Sequence, residues 1–292
     1  MCDERTIKES LETMKRSGDL TRRKFNALTA GAGLSILLPH AADAQEVTES
    51  EVEVMTPDGV ADCYFVHPSS GAHPGVIIWP DIMSLRPAFR EMGRRLAESG
   101  YSVLVINPYY RVTRAPVVPE GANMAQDETR NTVFPLAGTL SAETHMTDAR
   151  AFVEFLDSQD AVDVNRKIGT MGYCMGGPIT MRTAAAVPDR IGAGASFHGG
   201  GLVTDGPDSP HLLVPNMQAH YLFAIAENDD AEEPDAKNVL RESFDNAGLP
   251  AEIEVYEGTL HGWCPPDSHV YNEASAERAW SRLLALFETA LA

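Results

Sequence analysis

The strand-like run Lys167-Ile168-Gly169-Thr170-Met171 passes directly into Gly172-Tyr173-Cys174-Met175-Gly176-Gly177 and then into a stretch rich in small residues as far as Ala186. Few backbones accept that order. A strand has to turn sharply into a helix, and glycines flanking Cys174 keep Cβ atoms out of the bend. The middle residue is forced into an unusual conformation at the first turn of a helix. Unpaired N–H groups and the helix dipole there favour a thiolate over a thiol. The Met175 N–H points where a developing oxyanion could be held. Taken alone, the same stretch also reads as a glycine-rich turn around a buried cysteine, so its chemistry depends on what the rest of the chain supplies.

Short apolar runs alternate with amphipathic stretches on both sides of this turn, the pattern of an α/β fold with a mostly parallel central sheet and helices on both faces. Residues 48–55 and 60–67 form an opening hairpin around Pro57-Asp58-Gly59. Strands follow at 76–79, 103–106, 167–171, 191–197, 220–226 and 251–256. Helical spacing links Phe89, Met92 and Leu96, then Met146, Ala149, Phe152, Val153 and Leu156, and finally Trp280, Leu283, Leu284, Phe287 and Leu291. Residues 107–140 show no clear period, and a loop that long inside one domain reads as a lid or binding segment.

The chain has 292 residues, 43% of them hydrophobic, enough to bury a core. With 23 Lys+Arg against 42 Asp+Glu its formal charge is −19, so it would repel a nucleic-acid backbone. Its first 44 residues read as an address. Arg22-Arg23 precedes a weakly apolar run from Phe25 to Leu38, then Pro39 and the small-x-small site Ala42-Asp43-Ala44. This is the layout of a twin-arginine-type signal peptide, with cleavage after Ala44, export to a bacterial periplasm and no membrane span afterwards. A cytosolic amphipathic helix and an uncleaved anchor are the rival readings. Residues 45–292 suit one α/β domain. Cleavage removes Cys2 and leaves Cys63, Cys174 and Cys264, an odd number that leaves at least one thiol unpaired in an oxidising compartment. A Cys63–Cys264 disulfide is one possible pairing.

A cysteine nucleophile needs a base, and the base needs an orienting group. Ala219 to Ala226 reads as a strand followed by Glu227-Asn228-Asp229-Asp230, with Asp229 the first choice for the orienting acid and Asp230 its rival. Glu252 to Tyr256 is a strand followed by Glu257-Gly258-Thr259-Leu260-His261-Gly262-Trp263, which places His261 before the last helix. The order nucleophile, acid, histidine is that of the α/β-hydrolases. His198 follows the strand ending at Phe197 and reads either as a pocket wall or as a structural loop histidine. Tyr109, Tyr110 and Trp263 read equally as pocket walls or as core. A zinc site of His198, His261 and Cys264 fits no compact ligand spacing, and thiol redox chemistry lacks a C-x-x-C.

With these residues in place, the chain from 45 to 292 resembles the dienelactone hydrolase family of the α/β-hydrolase superfamily. The likeness rests on Gly172-Tyr173-Cys174-Met175-Gly176-Gly177, on Asp229 after Ala226-Glu227-Asn228, on His261-Gly262 and on Trp79-Pro80-Asp81-Ile82. It implies the α/β-hydrolase fold and a Cys174–His261–Asp229 triad cleaving a small ester or lactone, with no metal or organic cofactor. It further implies Ile82 and Met175 as the oxyanion hole and Asp81 as the acidic group, often Glu in the family, that activates the thiol. Substrate contacts would come from Arg111, Tyr110, His198 and Trp263. Family members acting on dienelactone clamp its carboxylate with arginines near the Tyr109-Tyr110-Arg111 region and just after the triad histidine. Arg111 is present, but the residues after His261 are Gly262-Trp263-Cys264-Pro265-Pro266, without an arginine. A carboxylesterase or thioesterase on another substrate, or a non-catalytic periplasmic binding protein, are the alternatives. Oligomeric state is not legible.

Overall fold

The computed structural model of the chain describes Leu38 and residues 44–292. The expected signal segment, including Arg22-Arg23, lies outside the described residues apart from Leu38 and Ala44. Among the described residues no helix is long and apolar enough to cross a membrane.

Eight strands form one sheet in the order β1-β2-β4-β3-β5-β6-β7-β8. β1 (Val47–Thr56) and β2 (Gly59–Pro68) make the antiparallel hairpin, and β2 also runs antiparallel to β4 (Ser102–Ile106). β3 (Gly75–Trp79), β5 (Ile168–Tyr173), β6 (Ile191–Phe197), β7 (His220–Ala226) and β8 (Ala251–Tyr256) continue in parallel with β4. Every residue of β3, β4, β5 and β6 is buried, as a parallel sheet covered on both faces requires.

Alternation along the strands explains the two covered faces. Val76, Ile78, Val103 and Val105 share one apolar cluster with Phe89, Met92 and Leu96 of α1 (Pro87–Glu98) and with Leu283 and Phe287 of α7 (Glu273–Ala290). Ile77, Trp79, Leu104 and Ile106 point the other way. They join Phe152 and Leu156 of α3 (Ala142–Asp157), Ile179 of α4 (Gly176–Ala186), and Leu240 and Phe244 of α6 (Ala236–Ala247). The fold is that of an α/β-hydrolase.

Departures from the sequence reading have local causes. β5 runs on to Tyr173, because pairing continues on both sides as Trp79↔Gly172 and Tyr173↔Phe197. The aperiodic 107–140 segment contains a helix, α2 (Asp127–Ala137), which buries only Thr129 and Val133 and carries Pro135 internally. Two buried side chains leave too faint a stripe to read. α6 was likewise hidden, since Leu240 and Phe244 are its only buried residues, and a 3-10 turn (Pro210–Asn216) connects β6 to β7.

Strand order reverses beside β3, with β4 on one flank and β5 on the other. In open α/β sheets the crevice outside the carboxyl ends of the strands at such a reversal takes the ligand. The loop starting at Pro80 and the turn around Cys174 both begin there.

Candidate active site

Cys174 follows the last residue of β5 with φ +52, in the left-handed region that non-glycine residues rarely enter. Its N–H donates to Phe197 O at 3.0 Å, and its carbonyl accepts from Gly177 N at 3.0 Å. Two glycines make the bend possible. A Cβ on Gly172 would sit 2.2 Å from Gly176 O, and one on Gly176 would sit 2.3 Å from Trp79 O. The second contact lays the turn against the end of β3, which brings Met175 beside the loop carrying Asp81 and Ile82. Among the described residues, neither the Ile82 nor the Met175 N–H donates to a protein acceptor. The Tyr109 hydroxyl ties the two together, donating to Ile82 O at 2.9 Å and lying 3.3 Å from Met175 Sδ.

His261 stands on the loop after β8. Its Nδ1 lies 2.9 and 3.0 Å from the two carboxylate oxygens of Asp229, and its backbone N–H donates to Asn228 Oδ1 at 2.7 Å. Asp229 belongs to α5 (Glu227–Glu232), the short helix directly after β7. The rival Asp230 instead binds Lys237 Nζ at 2.6 Å. Both members of the His261–Asp229 pair are largely shielded from solvent. The bond to the carboxylate through Nδ1 fixes the orientation of the ring.

Asp81 is buried, and both of its oxygens are taken up by Arg86, from Nη1 at 2.7 Å and Nη2 at 2.9 Å. Oδ1 also accepts from Met83 N at 2.9 Å. The partner the structure supplies for this carboxylate is thus a guanidinium. Arg86 reaches a second carboxylate, Asp267 on the histidine loop, through Nε at 2.7 Å and Nη2 at 3.0 Å. Burial alone would lower the Arg86 pKa; Asp81 and Asp267 outweigh it and raise it. The sequence reading had no role for Arg86, because its two partners stand 5 and 181 positions away.

Arg111 is likewise committed. Its guanidinium donates to both oxygens of Asp148, at 2.8 and 2.6 Å, and to Asp58 at 3.0 and 2.6 Å, and it stacks over Tyr110. The Tyr110 hydroxyl donates to Asp148 at 2.7 Å and lies 2.7 Å from Thr56 Oγ1. These two expected substrate contacts therefore sit in a network with the β1–β2 turn and α3.

His198 and Trp263 do adjoin the histidine. The His198 ring centroid is 5.1 Å from that of His261 and 6.3 Å from that of Trp263. Trp263 is fully buried and stacks on Tyr256 at 4.8 Å. Cys63 and Cys264 are both free and buried, so no disulfide joins them. Among the described residues no group of His, Cys, Asp and Glu is arranged to hold a metal ion. Over the Ile82 side sits a small apolar cluster in which Val118 of the 107–140 segment and Val133 of α2 pack on Ile82 and Met83, with Met175 against them.

The sequence model of the dienelactone hydrolase family matches residues 61–291. The carboxymethylenebutenolidase of Rhodococcus opacus is 24% identical over 231 residues, covering 77% of this chain and 85% of its own. Among solved structures, the dienelactone hydrolase-like promiscuous phosphotriesterase P91 from metagenomic libraries superposes with a TM-score of 0.70 at 20% identity, over 84% of this chain and 99% of that one. The dienelactone hydrolase of Anabaena variabilis gives 0.58 at 19% identity, over 85% and 100%. The matched span takes in the cysteine turn, the Asp81 loop and the His261–Asp229 pair, and the chain belongs to the dienelactone hydrolase family of α/β-hydrolases.

Proposed function

We propose that the protein hydrolyses a small neutral ester or lactone through Cys174, His261 and Asp229. The observation that carries this reading is the His261–Asp229 pair at 2.9 Å, at the same carboxyl edge of the parallel sheet as a cysteine held at φ +52. In the proposed reaction Cys174, in its reduced and ionised form, attacks the ester carbonyl. The Ile82 and Met175 N–H groups receive the oxyanion, where each donor contributes about 2.7–4 kcal/mol in comparable sites. His261 gives its Nε2 proton to the leaving alkoxide while Asp229 steadies the imidazolium. A water molecule, deprotonated by His261, then cleaves the thioester. Asp81, paired with Arg86, acts on the thiol only if that pair opens, so its part is to hold the Ile82 loop in place.

Neutrality of the substrate is supported by the two arginines. Each of Arg86 and Arg111 already faces two carboxylates, which leaves neither as a clamp for an anionic substrate. The apolar surface beside Ile82 and Met175 suits a hydrocarbon acyl group instead. His198 and Trp263, both fully buried, would back the His261 ring from inside the fold.

The test is a panel of p-nitrophenyl esters and lactones, with and without a carboxylate, assayed in the presence of reductant. Cys174→Ala should lower turnover by about 10³-fold or more while the fold is kept. Neutral substrates should exceed carboxylate-bearing ones in kcat/KM by about tenfold or more, because a charge-assisted hydrogen bond is worth about 1.5–3 kcal/mol. Full activity in a folded Cys174→Ala enzyme would overturn the nucleophile, and a preference for the anionic lactone would overturn the substrate class.

A further inference from the structure

A second imidazole lies at the heart of the site. His198 follows β6, between the strand that delivers Cys174 and the strand that delivers Asp229. Its backbone N–H donates to Ala224 O at 2.8 Å, while Phe197 just before it accepts from Cys174 N. It stands at φ +40, a conformation unusual for a residue with a Cβ. The side chain is fully buried, and neither Nδ1 nor Nε2 meets a hydrogen-bond partner among the described residues. Its ring meets that of His261 at 5.1 Å with the planes inclined 70°, and that of Tyr173 at 5.9 Å.

This arrangement is costly. A buried polar group without a partner loses the hydration it had in the unfolded chain, and a non-glycine residue at positive φ adds backbone strain. Packing does not require it, since a phenylalanine would fill the space without stranding two nitrogens. His261 does not need it for orientation either, being held by Asp229 through Nδ1 and by Asn228 through its backbone. A partner for so completely buried a ring has to be very small, and a water molecule meets that limit.

We propose that His198 holds the water molecule that cleaves the acyl-enzyme, an inference that rests on the Cys174 thioester reading above. The water oxygen bonds to the acyl carbon as one of its protons passes to His261 Nε2. His198 accepts a hydrogen bond from the other O–H and fixes the direction of approach. The C–S bond then breaks, its electron pair leaves on Cys174, and His261 returns the proton to sulfur. Thioester and water become carboxylic acid and thiol, and His198 is unchanged. Burial, reinforced by the neighbouring His261, pushes the His198 pKa well below the ordinary histidine value. The ring accordingly stays neutral and keeps an acceptor lone pair at neutral pH.

Pre-steady-state hydrolysis of a p-nitrophenyl ester tests this with His198→Phe, which keeps a ring against His261 but has no nitrogen, and with His198→Asn, a residue that tolerates positive φ. The Phe variant should release a burst of p-nitrophenol and then turn over about 10–100-fold more slowly than wild type. Mass spectrometry of the quenched enzyme should find the acyl group on the Cys174 peptide, and added hydroxylamine, which attacks without a held water, should restore release. Steady-state turnover at the wild-type level overturns the proposal, as does an equal fall in burst and steady-state rates. If the Phe variant fails to fold, the Asn variant decides: it must accumulate more acyl-enzyme than wild type, and equal accumulation overturns the proposal. A wild-type enzyme that never acylates Cys174 would sink the nucleophile itself. Failure of the water-holding role alone would leave that adduct in place.

Discussion

At the scale of single residues, Arg86 joins the parts of the site. One guanidinium, nearly excluded from solvent, binds Asp81 on the loop of the proposed oxyanion donor and Asp267 on the loop of the histidine. Such a bridge does not by itself make a protein stable, because desolvation offsets most of the attraction, but removing one partner strands the others. Arg86→Met should therefore cost about 3–5 kcal/mol of stability by leaving two carboxylates without a counter-charge. A second change, Asp81→Asn, should recover part of that loss. Arg86→Lys should fold but lose kcat, since an ammonium cannot fork to both carboxylates. Chemical denaturation and steady-state kinetics measure both effects. A Met variant as stable as wild type would show that the bridge is ornamental.

At the scale of elements, α2 packs beside the Ile82 loop. Val133, with Phe134 and Ala137 partly buried next to it, and Val118 of the preceding loop pack with Ile82 and Met83 in a cluster separate from the two main cores. An element held by a small satellite cluster opens at lower free energy than the core. Val133→Asp puts an unpaired carboxylate into that cluster. Limited proteolysis should then cut within 112–140 faster, and KM for apolar esters should rise about tenfold, since losing contact with about two buried methylenes costs about 0.8 kcal/mol each. Little change is expected in global unfolding. An unchanged proteolysis pattern and KM would show that α2 does not cover the bound acyl group.

At the scale of the whole molecule, acid sensitivity follows from a buried histidine away from the site. His145 of α3 is 6% exposed, with Arg182 Nη1 3.1 Å from its Nδ1. Burial, then the charges of Arg182 and Arg111, push its pKa down to about 3. In the unfolded chain it returns to the ordinary value near 6.5. Between those values the unfolded state binds the extra proton, so the contribution of His145 to stability is complete above about pH 6.5 and drains away toward pH 3. His198 and His269, also lowered by burial, act in the same direction, whereas Asp148, raised by burial, acts in the opposite one. Relief of repulsion among the carboxylates of a chain with a formal charge of −19 further opposes the loss. His145→Gln should flatten the fall in unfolding free energy between pH 6.5 and pH 4 by up to about 1.4 kcal/mol per pH unit. Parallel pH profiles for variant and wild type would exclude this role.

What the chain determined by itself is the part written in short-range pattern. Alternating apolar runs specify the buried strands, and the glycines around Cys174 specify the turn, because hydrophobic period and allowed φ are local properties. The order cysteine, acid, histidine follows from chain position, and Asp229 with His261 could be named from the strands they follow. Tertiary structure decided which carboxylate meets which cation. Asp81 and Arg111, both readable as parts of a reactive site, are engaged by Arg86 in one case and by Asp58 with Asp148 in the other. The cations and carboxylates concerned come from separate strands, turns and helices, and no local period records their pairing. It likewise brought His198 edge-on to His261 from a different strand, since what a side chain touches across a sheet depends on strand order and register, and those exist only once the chain has folded.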